Sequence, residues 1–367
     1  MKNKLTVIAA VLIVLAVVTA CPALAKETYK IGVAAPLTGG LAFLGEGIMN
    51  GIKMAQESVG DTKYKYEVIF EDNQHDPKVS VTLANKFFDV DKADAIITIG
   101  DESGPVVSPI ATAKDKIHMA IAVQRYIAKG YNNFMHWTPA DEQTTLLISE
   151  MKKRGVKKVA AFRSRYVGFV ELFESFKKNL KGSGIELVSD QVHDATAVDF
   201  RSQIAMAKKK NPDIYLLLTL PPALEIVAKQ LKEAGETKPL TSCEAFGISP
   251  EASLFEGEWF IAPAGAQGYY RDAYKARYGS EPPMATGNAI DIFELIVRAV
   301  ESTNTKSKPS AKQVSDELHK IKYHHGALGI MHIDKDGVVV TKPQPQLIKD
   351  ARPTPLYDEN GLMISSK

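Results

Sequence analysis

Four stretches of this chain carry side chains suited to gripping a small molecule. Residues 100–104 (Gly100-Asp101-Glu102-Ser103-Gly104) and 123–126 (Val123-Gln124-Arg125-Tyr126) close the apolar runs 95–99 and 118–123, and the stretches at Pro221-Pro222 and 243–246 close further runs. Free amides where a helix begins attract anions. Arg163 and Arg165, just beyond the run 158–162, and Arg125 carry planar forks that take a carboxylate through two hydrogen bonds. Glu244, if it turns into a cleft, needs a cation or donors and so predicts an amine on the ligand. Plainer roles compete: solvated surface charge for the arginines, a cap or an exposed carboxylate for Glu244. Asp101 and Glu102 read as first-turn acids facing water and offsetting a helix dipole.

Reactive constellations are lacking. The chain has no Gly-x-Ser-x-Gly elbow, no Walker-type phosphate loop and no His-Glu-x-x-His. Gly45-x-Gly47-x-x-Asn50 misses the third glycine of a dinucleotide fingerprint, and the histidines at 319, 324, 325 and 332 follow no zinc spacing and read as surface groups. No nucleophile with a base sits at the four loops, so the expectation is a binding protein and not an enzyme, with no cofactor and no metal.

Positioning those loops takes buried strands. Residues 94–126 read as strand, helix and strand, the helix opened by Gly104 and Pro105. Apolar runs bounded by turn residues and separated by a helix mark strands covered on both faces of a parallel sheet. Ligands of such sheets sit beyond the carboxyl ends of the strands. Upstream, strands are expected at 29–35 and 66–70. Between them Leu44, Ile48, Ile52 and Ala55 fall at helical spacing, with Gly45, Gly47 and Gly51 letting that helix lie close to its sheet. Asp76-Pro77 opens another helix with a capping side chain and a proline at its first position. Thr138-Pro139-Ala140-Asp141 reads as an N-cap, and from there strands at 158–162, 185–189 and 214–218 alternate with helices at 168–180 and 200–209. Further strands are expected near Leu240, at 259–262 and at 328–333, the last leading to a hairpin turn at Asp336-Gly337. Two sheets, each presenting two loops, suggest one cleft between two lobes.

At 367 residues the chain exceeds what one hydrophobic core supports, so two domains are expected. A net charge of +2 without an arginine-rich run argues against a nucleic acid or a membrane surface as partner. Lys2 and Lys4 precede the uncharged run 5–20, and Ala23-Leu24-Ala25 supplies a small-x-small cleavage site. The run is short for a membrane span of ~20 residues, so the expectation is an exported chain starting at Lys26. Val18-Thr19-Ala20-Cys21 also looks like a lipobox, but Pro22 fits it poorly; a soluble mature form is expected, a lipid on Cys21 being the alternative. Cleavage at Ala25 leaves Cys243 alone, which rules out an intrachain disulfide even in an oxidising compartment.

Taken in order, the export signal, Ile31-Gly32-x-x-x-Pro36-Leu37-Thr38-Gly39, Gly45, Glu71-Asp72-Asn73, Asp199-Phe200, Asn211-Pro212-Asp213 and the turn from Gly329 to Gly337 resemble the periplasmic leucine/isoleucine/valine-binding protein family of ABC transporters. The similarity spans nearly all of the mature chain. It implies an α/β fold of two Rossmann-like lobes joined by three crossovers, the type I periplasmic binding protein or Venus-flytrap arrangement. By the same resemblance, 1–25 is the signal peptide, 26–139 plus 267–333 the first lobe, and 140–266 plus 334–367 the second. It also implies a small ligand held by hinge closure, and a permease and ATPase in the membrane as partners. A monomer is expected.

In such proteins the first-lobe loops hold the ligand carboxylate through backbone amides and a hydroxyl. Ser103 matches the hydroxyl position, while Ala122, Val123 and Gln124 fall where the family has small residues and a Thr or Ser, Gln124 being a departure. Tyr166 falls where an aromatic closes over the ligand, and the basic Arg163-Ser164-Arg165 beside it stands where an acid is more usual. Glu244 matches the glutamate that pairs with the ligand's ammonium group. Leu44, with Phe43, sits where the side-chain pocket begins, and Leu220 with Pro221 is an expected contact by loop position. The expected function is that of an extracytoplasmic solute-binding protein for an amino acid or related small carboxylate. An aromatic or short aliphatic acid, with Tyr166 against the ring, is the alternative ligand; a sensor serving a membrane receptor is the alternative role.

Overall fold

A computed structural model of the chain describes residues 26–194, 196–305, 307–357, 362 and 363; the expected signal peptide and Cys21 lie outside them. Five parallel strands build the first sheet: β1 (Thr28–Ala35), β2 (Lys65–Asp72), β3 (Ala95–Ile99), β4 (Ile117–Ile121) and β5 (Asn133–Met135), in the order β2-β1-β3-β4-β5. Every residue of β3 and β4 is buried, as expected of largely apolar strands covered on both faces, and their two polar residues, Thr98 and His118, bond to each other at 2.8 Å. Ile97 stands between Val33 and Met119, so the loops beginning at Gly100 and Ala122 leave the sheet side by side.

The second sheet holds β6 (Lys158–Ser164), β7 (Glu186–His193), β8 (Ile214–Leu218) and β9 (Leu240–Thr241), parallel and ordered β7-β6-β8-β9. β10 (Trp259–Pro263) joins its margin through a parallel bridge from Ile261 to Cys243. A small antiparallel group follows: β11 (His324–Gly326), β12 (Gly329–Ile333) and β13 (Val339–Val340), tied to the first sheet by a bridge between Val338 and Met135. β14 (Pro343–Lys349) then returns to pair with β10, and β15 (Arg352–Pro355) pairs with β14.

The chain thus crosses between two α/β lobes three times, at 136–139, 264–267 and 341–342. The bridge at Val338 keeps β13 with the first sheet, and β14 pairs with β10 beside the second. Thr138 and Thr341 face each other across two of the crossings at 3.3 Å, and Asn288 donates to the His136 carbonyl at 3.1 Å. Thr138 therefore does not cap the Ala140–Lys153 helix; that helix has no side-chain cap and carries Asp141 and Glu142 in its first turn instead. The Asp76 cap forms as read, its carboxylate accepting from Lys78 and Val79 ahead of Pro77.

The glycines of the Ala42–Ser58 helix serve a different neighbour from the one expected. A Cβ on Gly47 would lie 2.7 Å from the Thr286 hydroxyl, and one on Gly51 would lie 2.9 Å from the Thr286 methyl and 3.1 Å from Ile290. Gly47 and Gly51 thus let the Ala42–Ser58 helix close on the Thr286–Ser302 helix, not on the sheet.

Candidate ligand-binding site

Loops from both sheets face each other around a cavity of about 90 Å³. Its first-lobe wall includes Leu44, His75, Asp101, Ala122, Val123 and Trp137. Across from these stand Tyr166, Gly168, Phe169, Leu220 and Glu244.

Asp101 is the first residue after the β3 strand end and its Gly100 turn. Its Oδ1 accepts the Val123 N–H at 2.8 Å, its carbonyl takes the Gln124 amide at 3.3 Å, and its own N–H donates to the Tyr166 hydroxyl at 3.3 Å. Gly168 makes room for it, since a Cβ there would lie 2.1 Å from Asp101 Oδ2. Only 9% of Asp101 is exposed, and burial pushes its carboxyl up to about 6, with Glu102 and Glu171 adding to the shift and the Val123 N–H opposing it. A first-turn acid facing water is therefore not its role.

Glu244 is aimed by its backbone. It has φ 68 and ψ −42, its N–H donates to the Ile261 carbonyl at 2.7 Å, and the Ala245 N–H returns to the Cys243 carbonyl at 2.8 Å. This three-residue turn is of the rare, strained γ type, which persists only where the surroundings impose it and which gathers at functional sites. Glu244 Oε1 accepts from Trp137 Nε1 at 2.5 Å and from the Gln143 amide. Burial raises the Glu244 carboxyl to about 7; the charge on Asp101 adds to the shift, and the two donors oppose it.

Aromatic rings complete the wall. Tyr166 stacks on His75 with centroids 5.4 Å apart and meets Phe169 edge-on at 5.6 Å. Burial lowers the His75 pKa, and neither of its ring nitrogens has a hydrogen-bond partner among the described residues.

Of the residues expected at the site, Leu44, Ala122, Val123, Tyr166, Leu220 and Glu244 line the cavity, whereas Ser103, Gln124, Arg125 and Arg163 do not. Ser103 is fully buried beneath the loop, its hydroxyl bonded to Asn73 Nδ2 at 3.0 Å and Ser80 Oγ at 2.8 Å. Gln124 is buried too, spent on supporting Asp101. Arg125 pairs with Asp141, Glu142 and Asp334. Arg163 forks onto Asp190 at 2.8 and 2.9 Å and lies over the Phe173 ring, and Arg165 pairs with Asp194. Phe43 and Pro221 are also absent from the wall. Sequence reasoning missed His75, Trp137, Gln143 and Gly168; the one available signal was position, since Trp137 lies in the first crossing and Gly168 follows Tyr166 closely.

A separate group, Asp291, Glu294 and His324, brings its ligand atoms within 4.8 Å of one another, so His324 is not the surface group it was read to be. Asp291 already accepts the Ala327 and Leu328 N–H groups and faces His136 Nε2 at 3.2 Å, while Glu294 accepts the Tyr270 hydroxyl at 2.9 Å. The group clamps the β11–β12 turn to the Thr286–Ser302 helix.

Two α/β lobes crossed three times by one chain, with strand-end loops from both enclosing a cavity, define a two-lobed ligand-binding protein. The chain belongs to the periplasmic binding protein family, whose model matches residues 28–343. The Leu/Ile/Val-binding protein homolog 3 of Brucella melitensis is 24% identical over 340 residues, covering 84% of this chain and 87% of that one. The leucine-binding protein LivK of Thermotoga maritima superposes with a TM-score of 0.82 at 20% identity, over 89% of this chain and 97% of its own. A solute-binding protein of an ABC transporter from R. palustris, in complex with benzoate, gives 0.81 at 18% identity over 90% and 96%. LivJ of Streptococcus pneumoniae, in complex with isoleucine, gives 0.79 at 19% identity over 92% and 100%. No helix among the described residues is long and apolar enough to cross a membrane.

Proposed function

We propose that this protein is an extracytoplasmic solute-binding protein that closes its lobes on a small amine-bearing molecule and presents it to an ABC permease and ATPase. Export through residues 1–25 and a soluble mature chain from Lys26 belong to the same proposal, as do lobes of 26–139 with 267–340 and 140–266 with 341–357. Glu244 is the observation that carries the reading. A strained turn holds its carboxylate at an apolar wall, and among the described residues no donor reaches Oε2. A carboxylate so placed is costly unless something supplies positive charge or donors, and an amine supplies both. The alternative ligand, an aromatic or short aliphatic acid, loses its expected grip, because Arg125, Arg163 and Arg165 are all paired away from the cavity.

Calorimetry and small-angle scattering on the mature chain with a panel of amino acids, amides and amines test the proposal. Micromolar or tighter binding accompanied by compaction is expected. A panel in which nothing binds and the scattering envelope never changes overturns it.

A further inference from the structure

Resting on that reading and narrowing it, we infer that the ligand is a small organic cation with an apolar body and no carboxylate, its ammonium group held by Asp101 and Glu244 in a cavity walled by Trp137, Tyr166 and Phe169.

The amide where an anion would dock is already taken. At the end of β4 the Val123 N–H points at the cavity wall, and it is the chain's own carboxylate, Asp101 Oδ1, that accepts it at 2.8 Å. That arrangement is built in, since the residue facing Asp101 Oδ2 is Gly168, where a Cβ would lie 2.1 Å away, and the Tyr166 hydroxyl receives the Asp101 N–H. A ligand carboxylate would have to evict Asp101 and would then find no counter-charge. The cavity lining contains no lysine or arginine, and its one imidazole, His75, is held toward the neutral form by burial. A carboxylate would add negative charge to a low-dielectric wall that already holds two acidic side chains and no lysine or arginine.

A cation meets the opposite situation. Two carboxyl groups line the same cavity, and Trp137, Tyr166 and Phe169 share its wall, so an ammonium group there has carboxylates and aromatic rings as neighbours. Burial drives both carboxyls up, Asp101 to about 6 and Glu244 to about 7, a penalty that a bound cation offsets. Size limits the remainder. The cavity, about 90 Å³, is smaller than the roughly 150 Å³ that accepts six-carbon benzene, which points to a branched aliphatic amine of no more than about five heavy atoms.

The test is calorimetric titration of the mature chain with three ligands of matched apolar body: isobutylamine, valine and isovalerate. Isobutylamine is expected to bind more than tenfold tighter than valine, and isovalerate not at all. Asp101→Asn and Glu244→Gln should each weaken isobutylamine more than tenfold, and Asp101→Asn should tighten valine; melting curves of both variants establish that they fold, and the wild-type comparison needs neither. Valine or isovalerate binding as tightly as isobutylamine overturns the inference while leaving a solute-binding protein standing. Silence from every amine, amino acid and amide tried overturns the solute-binding reading itself.

Discussion

Asp101 and Glu244 share a cavity wall in which ionisation is expensive, and this makes the ligand-free protein sensitive to pH. Their carboxyls are raised from 3.8 to about 6 and from 4.5 to about 7, so in that interval the folded chain binds more protons than the unfolded one. Stability from these groups is full below the interval and falls as pH rises through it, by at most about 1.4 kcal/mol per proton and pH unit. Glu102, Glu171 and Tyr166 act on Asp101 from neighbouring elements, and Trp137 and Gln143 on Glu244. His75, whose pKa burial lowers, works the other way below its ordinary 6.5. The clean measurement is therefore the melting temperature from pH 4 to 8 of the wild type against an Asp101→Asn, Glu244→Gln double variant, in which the decline should flatten. Glu244→Gln alone should cost an amine ligand on the order of 2 to 5 kcal/mol of binding, read by calorimetry. Gly168→Ala should dislodge Asp101 and destabilise the chain by roughly 1–3 kcal/mol in urea titration. Little of this pairing was legible beforehand. Glu244 stood out because it matches the glutamate that pairs with a ligand's ammonium group in the family the sequence resembles, but Asp101 beside Glu102 looked like ordinary first-turn acids, and only the inward turn of the loop separates the two.

The two helices that meet at Gly47 and Gly51 show how an element can be read correctly and its neighbour missed. Spacing located the Ala42–Ser58 helix and its buried face, but nothing local says that the face is shared with a helix more than 200 residues later in the chain. Gly51→Val would drive branched methyl groups into Thr286 and Ile290, and we expect a loss of about 1–3 kcal/mol in equilibrium unfolding. The strands 95–99 and 214–218 were legible to the residue because both are short, largely apolar runs bounded by turns. β14 was not, since Pro343 and Pro345 in a run of seven residues argue against a central strand, and it becomes one only because β10 and β15 flank it.

For the whole molecule the question is what holds the lobes together around the cavity. Tyr166 reaches from the second lobe to His75 and to the Asp101 N–H of the first, and the Val167 N–H points toward Glu102 Oε1 at 3.4 Å. Tyr166→Phe keeps the ring stack and removes one cross-lobe hydrogen bond, so ligand affinity should weaken by about 0.5–1.5 kcal/mol and the ligand-free scattering envelope should expand; unchanged affinity and envelope would show that the latch lies elsewhere. Chain order by itself determined the two α/β lobes, the parallel sheets and the loops at their strand ends, because apolar runs, turn residues and helical spacing are local and their alternation leaves few topologies. Tertiary structure alone decided which polar residues face the cavity. Ser103, Gln124 and the three arginines sit within three residues of the wall, yet each turns toward a partner distant in sequence, and Asp101 turns inward because Gly168 from the opposite lobe leaves it room.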